Sequence, residues 1–184
     1  MMNAFELNIL NFIRENLANP FLDTVMPIIT KFGDGGIFWI ALAVVFLFFK
    51  KTRKMGLCMG LALLMGFITG NLLLKNIVAR IRPYDLNPEI ELLVKHLSDF
   101  SFPSGHTLAS FEAATAIFIN NKKWGIPALV LAFLVALSRI YLYVHYPTDV
   151  LAAIILGIGF AILSCKIIKK YEGKICFLKW YYPH

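Results

Sequence analysis

Three short stretches carry ionisable and hydroxyl side chains in an otherwise apolar chain. They are Lys75-Asn-Ile-Val-Ala-Arg80-Ile-Arg82-Pro83, Pro103-Ser104-Gly105-His106, and Ser138-Arg139 with His145 and Asp149 in the run that follows. Lys75 and Arg82 are seven residues apart, two turns of a helix, so on a continuous helix both project from one side and can clamp a phosphate. Ser104 and Gly105 stand just ahead of an apolar helical run, where backbone N–H groups and the positive end of the helix dipole are free for an anion. Glycine there permits close backbone approach. Pro147 is the expected first residue of the last helix, which places Asp149 in its first turn. From there the carboxylate can reach back to His145, fix the imidazole tautomer and raise its basicity. Together these are the parts of an anion site with an oriented histidine in it.

The elements that must position these residues are set by composition. Hydrophobic residues make up 59% of the 184 and charged residues 16%, against about 45–50% and about 25% in a soluble domain, so the chain reads as a membrane protein of one domain. The formal charge of +7 does not form a basic face with interleaved aromatics, which argues against nucleic acid as a partner. Cys58, Cys165 and Cys176 have no metal-ligand spacing and imply no disulfide framework. Apolar runs at about 55–74, 107–120, 125–144 and 148–168 each approach the roughly 20 residues that cross a bilayer, 107–120 only with the turn at Pro103, and a fifth, 36–49, is short alone and long enough if it begins near Phe32. In residues 1–31, Phe5, Ile9, Phe12 and Ile13 form an apolar stripe interrupted by charges, which suits an interfacial helix, and Phe21–Ile29 is a short span or a re-entrant piece. The expected fold is an all-α, polytopic membrane bundle of about six helices.

Lys and Arg near the span ends set the orientation. Four fall in 50–54, two in 121–123 and five in 166–179, all on one side if the five spans alternate. That side, with the C-terminus, is the expected cytoplasmic one. The three chemistry-bearing stretches and the turn Gly33–Gly36 then share the opposite, extracytoplasmic side. Ionisable groups at membrane depth are costly, and their convergence on one face marks a functional site.

The pattern K-x6-RP, then PSGH, then SR-x5-H-x3-D resembles the three-part signature of the PAP2 (type 2 phosphatidic acid phosphatase) superfamily. Lys75, Arg82, Pro83, Pro103, Ser104, Gly105, His106, Ser138, Arg139, His145 and Asp149 match it, and the similarity covers about residues 55–165. The first 50 residues are only loosely similar to compact bacterial undecaprenyl-diphosphate phosphatases. The resemblance implies a two-step phosphoryl transfer without metal or cofactor. In it His145 attacks phosphorus, oriented by Asp149, and His106 protonates the leaving oxygen. Lys75, Arg82, Arg139 and the amides of Ser104 and Gly105 hold the phosphoryl oxygens.

The implied substrate is a lipid phosphate or diphosphate met among membrane lipids, with undecaprenyl diphosphate first. Phosphatidylglycerophosphate, phosphatidate and diacylglycerol diphosphate are the alternatives. A non-catalytic lipid-phosphate carrier is the reading from another class, and no obligatory protein partner is evident. Two residues lie outside the signature. Arg80 is either a residue snorkelling at a span end or a contact to a second phosphate. Glu112, six residues beyond His106, is read as a buried structural hydrogen bond or ion pair, with a proton-relay or head-group role as the alternative.

Overall fold

In the computed structural model residues 2–173 are described, and every regular element among them is helical. Cys176, the far part of the basic stretch 166–179 and the C-terminus lie outside the described residues. The helices are α1 (Met2–Asn16), α2 (Pro20–Thr30), α3 (Ile37–Phe48), α4 (Arg53–Gly66), α5 (Lys75–Val78), α6 (Pro83–Leu86), α7 (Gly105–Asn120), α8 (Lys122–Tyr141) and α9 (Pro147–Tyr171). A 3-10 segment, Lys31–Gly36, joins α2 to α3, and a π-helical stretch, Phe67–Leu74, carries α4 into α5. Local chemistry fixes several starts. The side chains of Asn19 and Asn121 accept from Leu22 N and Trp124 N to cap α2 and α8, and Pro20 and Pro147 occupy first-turn positions of α2 and α9.

By length and apolarity, segments 20–48, 53–86, 122–141 and 147–171 can each cross a membrane. Helix α7 is shorter, packs against α4, α8 and α9, and is buried along most of its length. Its neighbours meet it through small residues: Ala113, Ala114 and Ala116 on α7, Ala132 and Ala136 on α8, and Ala161 on α9. Large apolar side chains such as Phe48, Val130, Phe133 and Ile155 point outward instead. Small inside and large outside is the packing of helices that have lipid, rather than water, around them.

The N-terminal helices lie against one end of this bundle. Leu10 of α1 is buried with Tyr84 and the segment Tyr141–Tyr146, while Asp23 of α2 accepts from Tyr141 Oη at 2.6 Å. Of the apolar stripe on α1, Phe5 and Phe12 are exposed and Ile13 packs against this cluster, beside the buried Glu6 and Leu10.

The segment between Lys75 and Arg82 also departs from expectation. They are not two turns apart on one helix, because α5 ends at Ala79, whose φ is +46°, and Arg82 is extended at φ −74°, ψ 154°. Pro83 disfavours helical backbone at the residue before it, so the chain turns there and re-enters a helix at α6. Helices α7 and α8 approach closely at Gly125, where a Cβ would overlap the backbone of Phe118. Gly125→Val should therefore destabilise the detergent-solubilised protein by about 1–3 kcal/mol, read as a lower thermal unfolding midpoint. An unchanged midpoint would show that this contact is dispensable.

Candidate active site

The turns at one end of the bundle bring the three cations together. Arg82 is 2% exposed and held by backbone carbonyls: Nε donates to Asp99 O at 2.8 Å, Nη1 to Val144 O at 2.8 Å and Nη2 to Phe100 O at 3.3 Å. Nη2 also donates to Asp99 Oδ1 at 2.6 Å, and the other oxygen of that carboxylate pairs with Lys75. Burial works against ionisation of Asp99, but Lys75 and Arg82 outweigh it and hold the carboxyl at about 2. Arg139 is also 2% exposed. Its Nη1 donates to Thr30 Oγ1 at 2.5 Å, its Nε has no partner, and no carboxylate among the described residues forms an ion pair with it. Lys75 and Arg82 thus share one carboxylate, which is half exposed, while Arg139 is influenced by Asp34 and Asp99 without pairing with either.

His145 sits beside Arg82, with Nε2 3.3 Å from Arg82 Nη1. Its other nitrogen, Nδ1, lies 3.5 Å from Asp149 Oδ2 and 3.4 Å from Ser101 Oγ, and Ser101 Oγ donates to the same Oδ2 at 2.5 Å. The Asp149 side therefore takes Nδ1–H and leaves the Nε2 lone pair on the Arg82 side. Burial, opposed by Asp149 and reinforced by Arg82 and Arg139, pushes His145 down to about 3, so the imidazole is neutral. Asp149 is fully buried and saturated: Oδ2 also accepts from Tyr146 N at 3.0 Å, and Oδ1 accepts from Arg80 Nη1 at 2.5 Å.

Arg80 therefore points into the support of the histidine. Its guanidinium stacks over the Tyr146 ring at 3.8 Å and pairs with Glu6 of α1, which also accepts from Thr148 N and Thr148 Oγ1.

His106 stands at the start of α7, with Nε2 2.7 Å from Asp34 Oδ1. Gly33 packs flat on its ring, where a Cβ would come within 2.8 Å. The expectation that Ser104 offers a free amide is not met, because Ser104 N donates to Asp149 O at 3.3 Å. Ser104 is fully buried, and its hydroxyl is bonded to Thr107. Glu112 Oε1 has no hydrogen-bond partner among the described residues, so the structural bond expected of this side chain is not made at that oxygen.

Four supporting residues were not legible as site residues: Ser101, Asp34, Glu6 and Thr30. Only Asp34 had a local signal, the glycines around it in Gly33-Asp34-Gly35-Gly36 on the same side as the site.

The family model of the PAP2 superfamily matches residues 53–172. Among curated proteins the chain is 33% identical over 157 residues to an undecaprenyl-diphosphatase of Sulfolobus acidocaldarius, covering 82% of this chain and 75% of that one. It is 35% identical over 177 residues to phosphatidylglycerophosphatase B of Bacillus subtilis, covering 86% and 79%. Among solved structures, the transmembrane PAP2-type phosphatidylglycerolphosphate phosphatase of Bacillus subtilis superposes with a TM-score of 0.73 at 30% identity, over 95% of this chain and 87% of that chain.

Asp99 occupies hydrogen-bond donors of Lys75 and Arg82, the side chains expected to hold an anion. Asp99→Asn should lower the dissociation constant for inorganic phosphate about tenfold, the scale of one charge-assisted hydrogen bond, measured by titration calorimetry. A constant unchanged or raised would contradict the competition.

Proposed function

We propose, from the premise that the chain belongs to the PAP2 superfamily and is a membrane phosphatase, that it hydrolyses a polyprenyl diphosphate, undecaprenyl diphosphate, to the monophosphate. The observation that supports the phosphate site is the charge imbalance: Lys75 and Arg82 share the single carboxylate of Asp99, and Arg139, acted on by Asp34 and Asp99 from further off, forms no ion pair among the described residues. Buried cations without counter-ions are costly, and a phosphoryl group carrying two negative charges restores the balance.

In the proposed reaction Nε2 of His145 attacks phosphorus, an N–P bond forms, and the bond from phosphorus to the lipid-side oxygen breaks. The imidazole keeps its Nδ1 proton against Asp149. His106, held by Asp34, gives a proton to the leaving oxygen. A water then attacks phosphorus and gives up a proton to His106, and the N–P bond breaks to free inorganic phosphate and neutral His145. Lys75, Arg82 and Arg139 meet the charge on the equatorial oxygens, where positioning and electrostatics supply most of the rate.

The diphosphate reading is supported by the similarity to the undecaprenyl-diphosphatase. The similarity to the phosphatidylglycerophosphatase keeps glycerolipid monophosphates beside it. An extracytoplasmic site is supported by the basic clusters at 50–54 and 121–123 and by the first part of the third, at Lys166, Lys169 and Lys170. The pair Lys54–Glu172, at 2.6 Å, ties the first of these to the end of α9, away from His145 at its start.

Phosphate release by purified protein from a panel of undecaprenyl diphosphate, phosphatidylglycerophosphate and phosphatidate is expected to be fastest on the diphosphate. Release from the glycerolipids alone would overturn that choice. A cysteine placed at Glu91 should react with an impermeant thiol reagent in intact cells, and reaction only after lysis would reverse the orientation.

A further inference from the structure

A cavity of about 970 Å³ opens beside Lys75 and His106 and runs between α3, α4 and α7 as far as Leu47 and Gly56. From Gly36 to Leu47 it follows α3 for about 16 Å, at about 1.5 Å per residue. Its walls are apolar, with Ile40, Val44 and Leu63 along the length, which suits a hydrocarbon chain whose phosphate lies at the mouth. Polar groups interrupt this lining at two depths. Asn71 faces Gly105 at the level of the site, and Glu112 faces Gly66 further in.

Glu112 is the anomaly. It is 1% exposed, it lines the cavity, and its Oε1 has no partner among the described residues. Room is kept for its carboxyl group by Gly66, where a Cβ would overlap Oε1. An ionised carboxylate without a cation in such a wall would cost several kcal/mol, whereas the carboxylic acid has one O–H to donate. That donor lies six residues past His106, about 9 Å along α7. A polyprenyl chain offers nothing there but hydrocarbon. A diacylglycerol phosphate has its ester carbonyls, which accept hydrogen bonds, at the top of its chains.

We propose that Glu112 is a second binding point for the lipid, receiving an ester carbonyl of a glycerolipid whose terminal phosphate lies among Lys75, Arg82 and His106. It is a positioning point for lipids that carry an ester carbonyl near the phosphate, which the polyprenyl diphosphate lacks. This rests on the phosphatase site at the cavity mouth but not on which diphosphate is cleaved there.

The test compares dioleoyl phosphatidate with its dialkyl ether analogue, which carries the same phosphate and no carbonyls, and with undecaprenyl diphosphate. Wild type is expected to show a KM about five- to tenfold lower for the diester than for the diether, the scale of one hydrogen bond. Glu112→Leu should erase that difference by raising the diester KM, with the diether and undecaprenyl diphosphate changed less than twofold, and Glu112→Gln, which still donates, should keep most of it. The wild-type comparison needs no variant to fold. Equal KM values for diester and diether, no turnover of either, or a Glu112→Leu loss equal on all three lipids would overturn the proposal. Failure on undecaprenyl diphosphate with the ester preference intact would overturn only the diphosphate reading.

Discussion

Lys75, Arg82 and Arg139 must be held together at one end of an apolar bundle, and the rest of the structure is arranged around that requirement. Taking a cation out of water costs several kcal/mol even after the protein relaxes. Arg82 meets the cost with three backbone carbonyls, those of Asp99, Phe100 and Val144, which draw the loop before α7 and the turn before α9 onto the same side chain. A guanidinium suits this, because its fixed fork can serve several acceptors at once where an ammonium acts as a point charge. Arg139 is left with Thr30 and an unpartnered Nε, and forms no ion pair among the described residues.

A second tier of contacts holds the histidines. Asp149 takes bonds from Ser101, Arg80 and the Tyr146 amide, and so has no freedom to rotate away from His145. Arg80 in turn is held by Glu6, which also takes both donors of Thr148 at the start of α9. Through Glu6, helix α1 is part of the site's support as well as an amphipathic helix at its edge. Asp34 does for His106 what Asp149 does for His145, from the turn before α3. Orienting partners of this kind fix the tautomer and aim of a reacting group without touching substrate.

Much of this was legible in the sequence because the candidate site residues are grouped in three short stretches, each beside a helix start or end that proline or glycine announces. Pro147 did place Asp149 in a first turn within reach of His145. The apolar runs did give helices close to the expected bounds, and the small residues inside them form the core. Readings that extended a regular helix through an irregular segment failed. Lys75 and Arg82 reach one carboxylate across a left-handed Ala79 and an extended Arg82, a route that helical spacing cannot supply. Ser104 was read as a free helix-terminal donor, but Asp149 O takes its N–H, a contact formed 45 residues away in the chain. Ser101, Glu6 and Thr30 were hidden for the same reason: each is an ordinary polar residue until the fold brings a distant partner to it.

The central claim is that the Nε2 side of His145, left open by Asp149 and flanked by Arg82, forms a covalent bond to phosphorus. Brief reaction of the purified protein with 32P-labelled undecaprenyl diphosphate, quenched in alkali, measures it most directly. Label that is stable to base, lost in acid and absent from His145→Ala is the expected result. Label that persists in His145→Ala, or turnover by that variant at the wild-type rate, would contradict the account.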